Sequence, residues 1–307
     1  MIHGCNNPLY ILPFDHRGSF EKGLFGWRGT LTLAETTIIE AMKQIIYEGF
    51  KAAISAGVSK EKACLLVDEQ FGGAVLSDAV GRGYTVAYPV EKGSVDEFDF
   101  EYGEDFRSHI EAIQPTFCKV SICYNPEAGK AFNLGQMARL RRLADYLRGE
   151  PRTRFLVDLL VPAESEQLKM VDGDIRTWNS KIRPRLVVRA IEELQNADIE
   201  PDVWMIEGFD SREDCERVVS VVRYEGRDRV GCVVAGHRED DEKVRQWLRI
   251  AAPVPGFIGF SLGHDFWEPL WRWRAKRDSR EVAIAEIARR YKDFADFYER
   301  ARNESFD

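Results

Sequence analysis

The chain has 307 residues, 44% hydrophobic and 31% charged, which supplies length and apolar material for a large core and leaves no argument for disorder. A net charge of -8 with scattered basic residues argues against a nucleic-acid surface, so a small anionic ligand would need a local basic pocket. No apolar run approaches the ~18 residues of a membrane span, and Met1-Ile2-His3-Gly4-Cys5-Asn6 lacks a signal-peptide layout, so a cytoplasmic location with no membrane contact is expected.

Tyr10-Ile11-Leu12-Pro13-Phe14 is a short apolar strand that runs into Asp15-His16-Arg17-Gly18. A carboxylate, an imidazole and a guanidinium straight after a buried strand suit a site, because the strand end is rigid and the loop gives access; a capping Asp with two solvated neighbours is the plainer alternative. A helical pattern from Leu31 to Ala53 ends at Gly57. The second strand, Lys62 to Val67, finishes in Asp68-Glu69 before Phe71-Gly72-Gly73, and the third, Tyr84 to Val90, runs into Glu91-Lys92-Gly93.

Phe117 to Tyr124 is the fourth strand, ended by Asn125-Pro126. Alternation puts Cys118, Val120 and Ile122 on one face and Lys119, Ser121 and Cys123 on the other. A lysine inside an apolar strand is expensive without a partner or a task, so Lys119 is either a buried ion-pair member or a site amine that carries a proton, contacts an anion or attacks a carbonyl. A helix over Gln136 to Leu147 follows. The fifth strand, Arg154 to Val161, hides Asp158 between Leu156 and Leu160, and Lys119 on the neighbouring strand is the expected cation for it.

Helix Arg183 to Gln195 leads to strand six, Asp202 to Gly208, where Met205 and Glu207 point one way. Helix Arg212 to Val222 leads to strand seven, Val230 to Ala235, closing on Gly236-His237-Arg238. Helix Asp241 to Ala251 leads to strand eight, Gly256 to Ser261, closing on Gly263-His264. The aromatic piece Phe266, Trp267, Trp271 and Trp273 and an amphipathic helix from Ser279 to Arg302 read as packing elements. The cysteines at 5, 64, 118, 123, 215 and 232 form no CxxC pair, and four of them, Cys64, Cys118, Cys123 and Cys232, lie in apolar strands; none reads as a nucleophile.

Eight strands with helical patterns between most of them is the rhythm of a single α/β domain over residues 1–307, a TIM (β/α)8 barrel; an open doubly wound sheet would be expected to show G-x-G-x-x-G after its first strand. In a barrel the strand ends converge on one mouth, which would gather Asp15, His16, Asp68, Glu69, Lys92, Glu207, His237 and His264, with Lys119 and Asp158 further inside and Arg17, Tyr124, Arg238 and Ser261 as further expected substrate contacts there.

Six stretches carry a resemblance: Ile11 to Gly18, Leu66 to Gly72, Tyr88 to Lys92, Lys119-Val120 with Tyr124, Asp202 to Gly208, and Pro255 to Phe260. Together they resemble the class I aldolases related to tagatose-1,6-bisphosphate aldolase, most closely the 2-deoxy-5-keto-gluconate-6-phosphate aldolase-like domains. The resemblance implies a barrel that cleaves or forms a carbon–carbon bond in a phosphorylated keto sugar through a Schiff base, without a metal. It also implies a lysine on strand six, in Asp-x-Trp-Lys-x-Glu, and this chain has Met205 there; a thioether forms no imine. Gly-Arg pairs expected after strands seven and eight are Gly236-His237 and Gly263-His264.

Three mechanisms follow. Lys119 or Lys92 takes over imine formation, with Asp15 or Asp158 moving the proton and Glu207 in support. Alternatively His16, His237 and His264, with Asp or Glu, hold a divalent metal that polarises the carbonyl in a lyase or isomerase. Or the barrel binds a sugar phosphate without turnover. The expected partner in each case is a small sugar or sugar phosphate, bound by Lys119, Lys92 and the remaining mouth residues named above, in a chain that forms a homo-oligomer as such folds commonly do.

Overall fold

The computed structural model describes residues 3–18, 25–93, 97–237, 239–263 and 267–304. Eight parallel strands, β1 (Leu9–Pro13), β2 (Ala63–Leu66), β3 (Thr85–Pro89), β4 (Phe117–Cys123), β5 (Arg154–Leu160), β6 (Val203–Glu207), β7 (Gly231–Ala235) and β8 (Phe257–Ser261), close into a barrel in chain order. The helices follow the strands: α1 (Leu33–Ser55) after β1, α2 (Glu69–Gly81) after β2, α3 (Phe106–Ile113) after β3, and α4 (Lys130–Arg148) after β4. Between β5 and β6 run α5 (Ser165–Lys169), α6 (Ile175–Lys181) and α7 (Arg183–Asn196); α8 (Arg212–Val222) and α9 (Asp241–Ala251) follow, and α10 (Trp267–Arg274) and α11 (Arg280–Asn303) end the chain.

The period-2 alternation of the strands builds two cores. Tyr10, Leu12, Leu65, Val86, Cys118, Val120, Val157 and Trp204 face outward into the helix layer. Leu9, Ile11, Leu66, Phe117, Leu156, Val203, Val233 and Ile258 form a second cluster that fills the barrel interior. Helix starts are set by side chains that accept orphan N–H groups: Thr32 with Glu35 forms a capping box on α1, Asp68 caps α2, Ser211 caps α8 and Ser279 caps α11.

Closure of β8 onto β1 depends on the last helix and on one glycine. Tyr291 and Tyr298 of α11 donate their hydroxyls to the carbonyls of Tyr10 (2.7 Å) and Phe257 (2.9 Å), tying that helix to both strands. At Gly259, paired with Leu9, a Cβ would stand 1.7 Å from the Leu9 carbonyl oxygen. The Phe71-Gly72-Gly73 run lies inside α2, where a Cβ on Gly72 would stand 2.3 Å from Val67 Cγ2, so the glycine is needed for helix-to-strand approach. Among the described residues no helix is long and apolar enough to cross a membrane.

Gly259→Ala is expected to cost about 3 kcal/mol or more, the upper end of overpacking. Chemical denaturation measures it, and a loss under about 1 kcal/mol would show that β1 and β8 part without penalty.

Candidate active site

A cavity of about 690 Å³ opens at the C-terminal ends of the strands. Of the residues expected at the mouth, Asp15, His16, Arg17, Lys92, Lys119, Asp158, Glu207, His237 and Ser261 line it. Asp68, Glu69 and Tyr124 do not. Asp68 is buried as the α2 cap and pairs with Lys43, Glu69 accepts from the Tyr88 hydroxyl and meets His109 on the outside of the barrel, and Tyr124 donates to Glu193 of α7. Arg238 and His264 lie outside the described residues.

Register decides which charges meet. In the β4–β5 pair Ser121 stands opposite Asp158 and Lys119 opposite Leu156, so Lys119 sits one layer deeper than the aspartate. The expected Lys119–Asp158 pair is therefore replaced by two separate units. In the lower one, Lys119 Nζ donates to Asp15 Oδ2 at 3.0 Å and to Glu91 Oε1 at 2.7 Å. Burial alone would push Lys119 down, but the two carboxylates outweigh it and hold the ammonium well above the ordinary lysine value. Burial would raise Asp15, yet the Lys119 charge keeps it at about 2. Burial pushes Glu91 up in spite of Lys119.

In the upper unit, Asp158 Oδ2 accepts from Ser121 Oγ at 2.7 Å, and Asp158 Oδ1 faces His237 Nε2 at 3.4 Å, an ion contact without hydrogen-bond alignment. Burial opposes both charges and mutual attraction outweighs it, so the carboxyl is held low and the imidazole high. His237 has φ 39°, the left-handed region that non-glycine residues seldom enter, and such strain is found where function fixes a side chain. Met205 lies beside Asp158 in the β5–β6 register.

Second cations support these units. Arg17 donates to the Glu91 carbonyl (2.6 Å) and to Glu101 (2.7 Å), joining the loop after β1 to that after β3. Lys43, fully buried on α1, donates to the carbonyls of Phe14 (2.7 Å) and His16 (3.2 Å) and pairs with Asp68. Arg183 of α7 donates to the Glu207 carbonyl and lies 3.6 Å from its carboxylate. Burial pushes His16 down, and its ring packs edge-on to Trp267 with centroids 5.3 Å apart. Lys92 sits half-exposed at the rim, bonded to Asp99 at 2.9 Å.

Reading the sequence missed Glu91 as a site residue, although it sits beside Lys92 at a strand end, and missed Lys43, whose only signal is a lysine within the apolar stripe of Ile39, Met42 and Ile46. The cysteines are free, and Cys123, half-buried, borders the cavity. Among the described residues no three His, Cys, Asp or Glu side chains converge as a metal-ligand set.

The closed ring of parallel strands with a charged mouth at their C-terminal ends defines a TIM (β/α)8 barrel with a polar site. The chain belongs to the family described as "Uncharacterized protein conserved in bacteria (DUF2090)", which matches residues 3–302. No functionally curated protein matches the sequence. Similar solved structures include a fructose-bisphosphate aldolase from Plasmodium falciparum, 13% identical with a TM-score of 0.60 over 99% of this chain and 93% of that one. An archaeal fructose 1,6-bisphosphate aldolase is 12% identical, TM-score 0.53, over 94% of this chain and 96% of that one. A Schiff-base-forming fructose-1,6-bisphosphate aldolase is 11% identical, TM-score 0.54, over 93% and 94% respectively. At these identities the likeness establishes the barrel fold.

His237 holds its proton more tightly folded than unfolded, so its contribution to stability is complete below the ordinary value of 6.5 and disappears as pH rises through the higher folded value. The stability gap between wild type and His237→Gln in urea is expected to be wider at about pH 6 than at about pH 9. An equal gap would show that the contact with Asp158 carries no charge.

Proposed function

We propose that the protein is a lyase acting on the carbon–carbon bond of a keto sugar or sugar phosphate, and that it stabilises the reacting oxygen by charge instead of an imine. The observation that carries this reading is Lys119, an ammonium fixed between Asp15 and Glu91 inside the cavity. An amine must lose its proton to attack a ketone, and the two carboxylates oppose that loss. The same clamp leaves the third ammonium hydrogen for a ligand, since two are committed to carboxylates. A fixed, buried charge aimed at a carbonyl oxygen favours the enolate more than the ketone.

The chemistry then balances through side chains of this site. With His237 in its neutral form, the imidazole takes the proton of a hydroxyl β to the ketone and becomes an imidazolium that the Asp158 carboxylate stabilises. The bond between the hydroxyl-bearing carbon and the α carbon breaks, and its electrons form the enolate whose oxygen faces Lys119. The proton returns to the α carbon, and the two carbonyl products leave. Ser121 keeps Asp158 oriented towards His237, while Glu207 and Ser261 face the sugar hydroxyls from the mouth. Similarity of fold to the aldolases supports a sugar-derived substrate.

A panel of ketoses and ketose phosphates, assayed for aldehyde release, is expected to contain a substrate whose turnover survives borohydride and survives a chelator. Lys119→Met is expected to lower kcat by about 10²- to 10³-fold in a folded protein, the loss typical of one oxyanion donor. A reduced adduct on Lys119 or Lys92 would restore the imine mechanism. Loss of activity with the chelator would favour metal chemistry, and binding without turnover across the panel would favour a non-catalytic sugar-phosphate barrel.

A further inference from the structure

Lys43 stands on α1 in the apolar stripe of Ile39, Met42 and Ile46, with none of its surface exposed. A leucine or methionine would fill that position without the cost of burying a charge, so the ammonium needs an account. Its hydrogen bonds supply one: they run to the carbonyls of Phe14 and His16, the residues on either side of Asp15, and to the Asp68 carboxylate. Asp68 is in turn fixed by accepting the Phe71 N–H at 2.9 Å as the cap of α2. Two hydrogen bonds from one anchored point set both the position and the tilt of a short segment, and between them lies the carboxylate that clamps Lys119.

We infer that Lys43 is a positioning residue: held by Asp68 at the start of α2, it grips the backbone on both sides of Asp15 and aims the Asp15 carboxylate at Lys119. The inference rests on the proposed function only in treating the Asp15–Lys119 pair as part of the working site. Lys43 itself does not line the cavity, so it acts through Asp15.

The test separates this role from general stability. Lys43→Met alone strands the Asp68 carboxylate in the core and is expected to weaken the fold. Lys43→Met combined with Asp68→Asn removes both charges and keeps a side chain able to cap α2, so most of the stability should return. Turnover should not return, because the carbonyls of Phe14 and His16 still lack their donor; kcat should stay lower by about 100-fold, the scale of an ångström-sized misplacement. A readout without substrate is the ¹³C NMR titration of the Asp15 carboxyl, about 2 in the native protein. With a charge-neutral pair removed, a rise towards the ordinary carboxylate value in the double variant reports lost alignment with Lys119. An Asp15 titration unchanged in that variant would overturn the inference. If no sugar is turned over by the native protein, the lyase reading fails while the Asp15 titration still decides this one.

Discussion

Lys119 stays charged in the interior of a barrel because carboxylates from two other strand ends close on it. Asp15 follows β1 and Glu91 follows β3, so one ammonium on β4 ties three strands at the level of the cavity. Taking those charges out of water is costly, and the cost is offset only if geometry holds them in contact. Each carboxylate accordingly has a second cation behind its backbone: Lys43 grips the peptides beside Asp15, and Arg17 grips the Glu91 carbonyl. The charged floor of the cavity is in this sense built by α1, α2 and the loops after β1 and β3, and its parts are interdependent.

That arrangement fixes what Lys119 can contribute. A neutral amine is a nucleophile and an ammonium is an electrostatic donor, and the carboxylates on either side favour the ammonium. One layer nearer the mouth, Asp158 and His237 pull each other's affinities for the proton apart from their ordinary values, and proton movement is assigned to this pair in the proposed reaction. Separation into a fixed-charge layer and a titrating layer follows from the β4–β5 register, which sets Ser121, not Lys119, beside Asp158.

Much of this was legible in the sequence, and the reasons are local. The barrel is legible in eight strand patterns with helices between most of them, and alternation within β4 places Lys119 and Ser121 on one face, which the barrel turns inward. The pairing of charges was not legible, because adjacency in a parallel sheet depends on a stagger that no single strand encodes. For that reason strand adjacency alone suggests Lys119 with Asp158, and a strand-end position alone suggests Asp68 at the mouth, whereas Asp68 caps α2 and pairs with Lys43. Glu69 and Tyr124 show the same limit: a polar residue just past a strand can turn outward to a helix, as Glu69 does to His109 of α3 and Tyr124 to Glu193 of α7.

Two of the three places where the chain departs from its resemblance to Schiff-base aldolases, Met205 and His237, meet at one side chain. Met205 is the register neighbour of Asp158 on β6, and His237 lies 3.4 Å from Asp158 at the end of β7. A lysine at 205 would stand next to the buried aspartate and supply a positive charge to it. With a thioether there, Asp158 has no cation from β6, and its charge is compensated by the imidazole after β7, by the Lys119 charge and by the Ser121 hydroxyl. An arginine at 237 would also neutralise Asp158, but it would not titrate near neutral pH. Histidine at 237, held in a left-handed backbone conformation that a glycine would adopt more cheaply, is a counter-charge that titrates, where the arginine implied by the resemblance would be permanent. Under the proposed reading, a thioether at 205 and a titrating imidazole at 237 are therefore linked through Asp158, whose surroundings favour acid–base chemistry over attack by an amine.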